Sequence, residues 1–225
     1  YDATLEITYL GEGGPVVGEG DRIGTFRPSD TTFRLDLDGD GVFNDANDLV
    51  YGPMGSSTDW PVSGDFNGDG VDTIGYFSAG VWNLDFDGDG VTETVYNFGN
   101  AQDLPVVGDW NGDGTDEIGV RRPWPSNTQK RFYLDFNGNG AWDLGTDLAS
   151  EPFGWPRDLP IAGDWDGDGT DEIGIYRPST SGQALFALDA DGDLAWTWTP
   201  GTDVVVTAPV NEGGYAVIGN WDDTD

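Results

Sequence analysis

The sequence contains no cysteine, no histidine and a single lysine, Lys130. Without cysteine, disulfide bonds, thiol catalysis and thiolate metal ligands are excluded. Without histidine, the chain lacks the side chain that most often exchanges protons near neutral pH and binds zinc. Carboxylates and one lysine are the main acids and bases that remain. We therefore expect that the protein is not an enzyme.

Positive charge and long apolar runs are also scarce. Nine Lys and Arg residues stand against 42 Asp and Glu residues, which gives a formal net charge of −33 at pH 7. Such a field repels phosphate, so nucleic acid and anionic membranes are poor partners, and we expect no nucleic acid to bind. No apolar run is long enough to insert into a membrane. The self-repulsion of so many carboxylates predicts either bound cations or a salt-rich environment.

Glycine and proline are abundant instead, with 36 and 13 residues, and ten tryptophans contribute to an aromatic share of 13%. This composition is typical of many short strands joined by tight turns. The first residue is tyrosine rather than methionine. We therefore expect either a processed product, for which export and an extracellular or cell-surface location fit, or an excerpt of a longer chain.

One phrase, PVVGDWNGDGTDEIGVRRP in its clearest copy, returns along the chain at intervals of 46, 44 and 55 residues. Its copies begin at Pro15, Pro61, Pro105 and Pro160. Intervals of this length are typical of β-propeller blades. A second phrase, RFYLDFNGNG, and a closing aromatic segment such as TVYNFGN follow in each repeat. Each repeat therefore predicts four short antiparallel strands, which is the content of one blade.

The two ends of the chain resemble complementary parts of a repeat. The segment from Val204 aligns with the first two strands, and LEITYLG from Leu5 aligns with the closing strand. We predict an all-β fold, a single propeller domain over 1–225 of about five four-stranded blades, closed by pairing of the N- and C-terminal segments. The repeats are 15–60, 61–104, 105–159 and 160–203, with a split blade from 204–225 and 1–14. Pairing of the ends between molecules would instead give a filament. An open stack of hairpins or two small β-sandwiches is the other alternative.

A first type of loop, D-x-[DN]-G-D-G-x-D, begins at Asp65, Asp109 and Asp164. Oxygen donors at positions 1, 3 and 5, a carbonyl at position 7 and a carboxylate beyond it suit Ca²⁺, while glycine at position 6 permits the sharp turn. The predicted ligands are Asp65, Asn67, Asp69, the carbonyl of Val71 and Asp72; Asp109, Asn111, Asp113, the carbonyl of Thr115, and Asp116 or Glu117; and Asp164, Asp166, Asp168, the carbonyl of Thr170, and Asp171 or Glu172.

A second type of loop follows the third strand of each repeat and has less regular late ligands. The predicted ligands are Asp36, Asp38, Asp40, the carbonyl of Val42, and Asp45 or Asp48; Asp85, Asp87, Asp89, the carbonyl of Val91, and Glu93; and Asp135, Asn137, Asn139, the carbonyl of Ala141, and Asp143 or Asp147. A fourth copy, Asp189, Asp191 and Asp193, lacks the following glycine and any late acid, so we interpret it as a degenerate site. Together the loops predict about six Ca²⁺ ions. Ordinary Asp-Gly turns are the alternative.

Two further sets of residues recur in the repeats. The aromatic residues next to the first Asp of a loop are expected to pack between neighbouring blades rather than to stack on sugars. These are Phe66, Trp110, Trp165, Phe86 and Phe136. The arginines of the Arg-Pro pairs are expected to pair with nearby carboxylates rather than to bind an anionic ligand. These are Arg27, Arg122 and Arg177.

The loop sequences GDFNGDG, GDWNGDG and GDWDGDG, each followed closely by Ile-Gly, resemble the FG-GAP and VCBS-type repeats of integrin-like β-propellers. The resemblance extends from Pro15 to about Thr199. It implies Ca²⁺ binding between the first two strands of a blade, at the loops of Asp65, Asp109 and Asp164. The first repeat departs from the pattern, since only Glu19 and Asp21 remain there, and we expect no ion of this type in it.

Domains of this kind occur in secreted and surface proteins. We therefore expect a non-enzymatic, extracellular, calcium-binding propeller with a structural or adhesive role, whose partner is a second copy of itself in a filament or another extracellular protein. A lectin-like role is the alternative, with glycan bound by rim aromatics. The candidates are Trp124, Trp142, Trp155 and Trp196. A third hypothesis is that the chain is an enzyme that acts on polysaccharides.

Overall fold

A computed structural model of the chain describes residues 5–8, 23–37, 43–44, 47–122, 130–179, 182–197 and 202–209, with residues 5–8 described as backbone alone. Within these residues the chain forms sixteen β-strands and no helix. Accordingly, no helix in the described part of the chain is long and apolar enough to cross a membrane. The predicted all-β class is confirmed.

The strands form four antiparallel sheets of four strands each, in sequence order, as in the blades of a β-propeller. The first sheet contains β1 (Leu5–Thr8), β2 (Ile23–Arg27), β3 (Thr32–Leu35) and β4 (Leu49–Tyr51). The second contains β5 (Trp60–Gly64), β6 (Thr73–Ser78), β7 (Val81–Leu84) and β8 (Thr94–Asn97). The third contains β9 (Leu104–Gly108), β10 (Glu117–Arg122), β11 (Arg131–Leu134) and β12 (Leu148–Ala149). The fourth contains β13 (Leu159–Gly163), β14 (Glu172–Arg177), β15 (Gln183–Leu188) and β16 (Val204–Pro209).

The predicted number of about five blades is wrong for the described residues, which form four. Leu5–Thr8, predicted to close a split fifth blade, is the first strand of the first sheet and pairs with β2. Val204–Pro209, predicted to open that blade, is the fourth strand of the fourth sheet and pairs with β15 over six residues. A valine-rich segment suits the first and the last strand of a blade equally well, because both lie at a sheet edge. The rest of the predicted split blade lies outside the described residues.

The chain divides into two compact units, and the boundary falls between Pro61 and Val62. The first unit contains the first sheet, in which the buried rings of Phe26 and Phe33 pack with their centroids 4.9 Å apart. The second unit, Val62–Ala216, contains the third and fourth sheets and nearly all of the second. The predicted single domain stays a prediction.

The core of the second unit lies between successive sheets. One buried cluster joins residues of the second sheet, among them Phe66 and Trp82, to Ile118 and Val120 of β10. A second cluster joins residues of the third sheet, among them Trp110, to Ile173 and Ile175 of β14 and Ala187 of β15. The predicted packing of Phe66 and Trp110 between blades is therefore confirmed. Trp165 is half-buried, and its indole nitrogen donates to the carbonyl of Ile173.

The glycine of the Glu-Ile-Gly segment leaves room for side chains of the two strands that flank it in the third sheet. A Cβ atom on Gly119 would lie 2.9 Å from a methyl group of Leu134 and 3.0 Å from one of Val106.

Arginines at the ends of the second strands pair as predicted. The guanidinium group of Arg177 makes two bonds of 2.7 Å to Asp158, Arg122 reaches Asp103 at 3.0 Å, and Arg27 reaches Asp30 at 3.3 Å.

Candidate metal sites

Each predicted loop starts at an aspartate that directly follows a strand. Asp65, Asp109 and Asp164 follow the first strands of the second, third and fourth sheets. Asp36, Asp85, Asp135 and Asp189 follow the third strands of the four sheets. The regular end of a strand therefore fixes the position of the first candidate ligand in every loop.

The loop at Asp109 shows how the chain wraps around that first carboxylate. The amides of Gly112 and Asp113 donate to Asp109 Oδ1 at 2.7 and 3.1 Å, and the amide of Gly114 donates to Oδ2 at 2.8 Å. Gly114 has φ of +85°, a left-handed conformation that glycine adopts without steric cost. An amide at position 6 donates to the first carboxylate in the same way in the loops at Asp65, Asp85, Asp135 and Asp164.

The late carboxylate comes from a glutamate at position 9 in three loops. Glu117 and Glu172 are the first residues of β10 and β14, and Glu93 directly precedes β8. Each accepts a hydrogen bond from the amide that follows the first Asp of its own loop. These bonds are Trp110 N to Glu117 at 3.2 Å, Trp165 N to Glu172 at 2.9 Å and Phe86 N to Glu93 at 2.9 Å.

The structure thereby gathers three clusters of acidic side chains that could hold a metal ion. They are Asp85, Asp87, Asp89 and Glu93; Asp164, Asp166, Asp168 and Glu172; and Asp109, Asp113 and Glu117. Within each cluster, one carboxylate oxygen from every member lies within 4.8 Å of the others. Two oxygens on opposite sides of a Ca²⁺ ion, each about 2.4 Å from it, would be about 4.8 Å apart. The donor set and its spacing therefore fit a hard divalent cation.

Asp116 and Asp171 directly precede Glu117 and Glu172 in the sequence. Each of the two aspartates contacts the loop of the preceding sheet instead of its own loop. The amide of Asp65 donates to Asp116 Oδ2 at 2.8 Å, and the amide of Asp116 donates to the carbonyl of Asp65 at 2.8 Å. Asp171 and Asp109 make the same reciprocal pair, at 3.1 and 2.8 Å. We call these two pairs the loop clasps. Of the alternatives that the sequence left open, Glu117 and Glu172 belong to the clusters, while Asp116 and Asp171 form the clasps.

The loop at Asp65 has Thr73 at position 9 and therefore lacks the late glutamate. The side-chain amide of Asn67 donates to Asp69 at 3.1 Å and to the carbonyl of Phe86 at 2.6 Å. Asp72 is exposed and belongs to none of the acidic clusters found among the described residues.

The loop at Asp135 replaces two carboxylates by amides. Asn137 and Asn139 donate to one oxygen of Asp143 at 3.2 and 2.5 Å, and these bonds lower the pKa of Asp143. Asp147, directly before β12, accepts hydrogen bonds from the amides of Phe136 and Asp143. The loop contains no cluster of three carboxylates like the three above.

The loop at Asp36 is described only in part. Asp48, directly before β4, accepts hydrogen bonds from the amides of Leu37 at 3.0 Å and Asn44 at 2.5 Å. Asp38, Asp40, Val42 and Asp45 lie outside the described residues. In the other loops, the role of the backbone carbonyls as ligands stays a prediction. They belong to Val71, Val91, Thr115, Ala141 and Thr170.

A fourth acidic cluster arises where the sequence reads as degenerate. Asp189 and Asp191 come together with Asp203, and their oxygens also lie within 4.8 Å of one another. Asp203 is 14 residues beyond Asp189 and directly precedes β16. The signal that could have found it is the acid just before the fourth strand, a place also held by Asp48 and Asp147.

Burial and neighbouring carboxylates raise the pKa of two of the late glutamates, Glu117 and Glu172. Burial, followed by the charges of Asp113 and Asp109, raises the pKa of Glu117 to about 8. Burial, assisted by the charges of Asp166 and Asp164, raises the pKa of Glu172 to about 7. A bound cation would stabilise the ionised form of these groups and offset the repulsion between them.

Comparison of the sequence with models of known protein families gave no match, and comparison with characterised proteins gave no significant match. The resemblance to FG-GAP and VCBS-type repeats therefore stays a prediction from the loop sequences. The candidate metal sites are supported by the geometry of the acidic clusters.

Proposed function

We propose that this chain is a non-enzymatic, calcium-binding β-propeller module that serves a structural or adhesive role outside the cell. The observation that carries the proposal is the position of the clasps. Two of the loops that gather an acidic cluster, those at Asp109 and Asp164, also contact the loop of the preceding sheet, through Asp116 and Asp171. A cation that orders such a loop would stabilise the packing between sheets as well.

The donors favour calcium over other metals. Every candidate side-chain ligand is an oxygen donor, and the chain has neither histidine nor cysteine to attract zinc or copper. Ca²⁺ accepts six to eight oxygen ligands in irregular geometry, whereas Mg²⁺ retains several waters and requires a stricter octahedron. A loop that combines carboxylates with a carbonyl therefore suits Ca²⁺ better.

Thermal unfolding in millimolar Ca²⁺ and in excess EGTA tests the proposal. Each site that is filled to a hundred times its Kd stabilises the fold by about 2.7 kcal/mol. For three sites we expect the melting temperature to fall in EGTA by on the order of 10 °C or more. The variant E117Q/E172Q should lose much of this dependence. Glu151→Gln is the matched control, because Glu151 lies outside the loops and pairs at the surface with Arg131.

An unchanged melting temperature in EGTA would contradict the proposal. The acidic loops would then be solvated turns, and the excess of carboxylates would indicate adaptation to salt. The same samples should be followed by light scattering and negative-stain microscopy. Calcium-dependent particles would support self-assembly into filaments, which stays a prediction.

Glycan binding is the second candidate, and the exposure of two tryptophans favours it. The side chain of Trp155 is 59% exposed and that of Trp142 is 40% exposed. Trp142 also packs edge-on against Tyr133, with centroids 5.3 Å apart, and Trp196 packs against Phe153. Trp155 is thus the better platform for a sugar ring. A glycan array at millimolar Ca²⁺ tests this role. Loss of a positive signal in Trp155→Ala would support it, and an array without signal would count against it.

A further inference from the structure

Two buried carboxylate oxygens in the fourth sheet lack a partner. The side chain of Asp189 is 0% exposed. Its Oδ2 accepts the amide of Leu194 at 2.9 Å, but its Oδ1 has no hydrogen-bond partner among the described residues. Oδ1 of Asp203 is buried without a partner in the same way. Unpaired buried carboxylate oxygens are costly, so a native fold normally supplies a donor or a cation.

The loop after Asp189 keeps part of the hydrogen-bond pattern of the other candidate metal loops, although its sequence departs from theirs. Leu194 occupies the position of the usual glycine, and it has φ of +59°. The amide of Ala195 donates to Asp193 Oδ1 at 2.8 Å, as the amide of Thr115 does to Asp113 in the loop at Asp109. The side chain of Leu194 packs against the core cluster between the third and fourth sheets.

We propose that Asp189, Asp191 and Asp203 form a further Ca²⁺ site, which fastens β16 to the loop that follows β15. The ligand set differs from the one that the loop spacing suggests, because Asp203 takes part and Asp193 does not. Asp191 is exposed and Asp189 is buried, so the site has one side open for an ion to enter. The inference rests on the proposed calcium binding, and it identifies a site that the loop motif does not mark.

The number of bound Ca²⁺ ions tests the site directly. Equilibrium dialysis at millimolar Ca²⁺, followed by elemental analysis, gives the ions bound per chain. Asp203→Asn and Asp191→Asn should each bind one ion fewer than the wild type. Asp193→Asn is the matched control, since asparagine retains the oxygen that accepts the amide of Ala195, and it should bind as many ions as the wild type.

The possible outcomes separate this inference from the proposed function. A wild type that binds no Ca²⁺ would refute the proposed function. A wild type that binds Ca²⁺ while Asp203→Asn and Asp191→Asn bind the same number would overturn only the further site. Loss of an ion in Asp193→Asn, with no loss in Asp203→Asn, would also overturn the ligand set.

Hydrogen exchange provides a second readout that does not depend on counting ions. Ca²⁺ should slow amide exchange in the wild type over residues 202–209, because the ion holds the residue at the start of β16. In Asp203→Asn this slowing should be lost over those residues, while the loop at Asp85 should still respond to Ca²⁺. Equal slowing of β16 in both proteins would overturn the proposed role of the site.

Discussion

The residue at position 9 of the first-type loops decides whether a loop gathers enough carboxylates for a cation. Glutamate holds this place at Glu117 and Glu172, and threonine holds it at Thr73. The three residues occupy equivalent places, because each one begins the second strand of its sheet. Asp65 and Asp69 therefore lack the partner that completes the other two clusters.

Introducing that partner is a test at the scale of one residue. Thr73→Glu should add one bound Ca²⁺ ion per chain, because a third carboxylate then faces Asp65 and Asp69. Equilibrium dialysis against the wild type measures the change. Thr73→Gln provides the same size without the charge and should add none. An equal ion count in Thr73→Glu and Thr73→Gln would show that position 9 does not complete the site.

The glycine at position 6 gives a second test at this scale. Apart from the two residues next to it in the chain, nothing lies within 4 Å of a Cβ built on Gly114, so an added methyl group has no neighbour to displace. The φ of +85° remains, and a left-handed conformation costs a residue with a Cβ about 1–2 kcal/mol. Gly114→Ala should therefore lower the free energy of unfolding by about 1–2 kcal/mol. Urea unfolding measures this loss, and an unchanged value would contradict it.

The sequence could identify the first aspartate of each loop but could not choose between two adjacent late acids. Successive residues of an extended segment point to opposite sides. Glu117 therefore faces its own loop while Asp116 faces the neighbouring one. Which acid faces inward depends on the packing of one sheet against the next, and the spacing of residues within a repeat does not contain that information. Asp203 was missed for a related reason, since it lies far from Asp189 along the chain.

At the scale of strands, the central repeats were predictable and the ends were not. Four strands recur in the same order in the second, third and fourth sheets, because the apolar pattern and the loop residues repeat together. The terminal segments carry short apolar patterns without a loop motif beside them. Such a pattern indicates a strand but leaves its partner open, which is why Leu5–Thr8 and Val204–Pro209 were assigned to a fifth blade.

The loop clasps give a test at the scale of neighbouring strands. Asp171→Ala removes the carboxylate that accepts the amide of Asp109 and leaves that half-buried amide without its partner. The expected loss of stability is about 1–3 kcal/mol. The number of bound Ca²⁺ ions should stay the same, because Glu172 and not Asp171 belongs to the cluster. Urea unfolding and equilibrium dialysis measure the two quantities.

Two further variants distinguish the role of Asp171 in the loop clasp from the role of Glu172 as a metal ligand. Asp171→Asn retains an acceptor oxygen and should lose less stability than Asp171→Ala. Glu172→Gln should lose one ion, whereas the clasp variants should lose none. Loss of an ion in Asp171→Asn would identify Asp171 as the ligand and contradict the assignment of the clasp.

For the whole molecule, the formal net charge of −33 makes stability depend on pH and calcium together. Burial, together with the charges of Asp113, Asp109 and Asp135, raises the pKa of Glu117 from 4.5 to about 8. Burial and neighbouring aspartates raise the pKa of Glu172 to about 7. The folded state thus holds these protons more tightly than the unfolded state does. The stability that the bound protons provide is complete below about pH 4.5 and is lost as the pH rises through 7 and 8.

In EGTA, the free energy of unfolding should therefore fall as the pH rises from about 5 to about 8. Saturating Ca²⁺ should reduce or reverse this fall, because the ion replaces the protons that Glu117 and Glu172 would otherwise bind. Urea unfolding across this range measures both curves. The E117Q/E172Q variant is the control. Its glutamines do not titrate, so its curve in EGTA should be flatter than that of the wild type. Equal slopes for the two proteins in EGTA would mean that repulsion spread over the whole surface, and not the pair Glu117 and Glu172, sets the pH dependence.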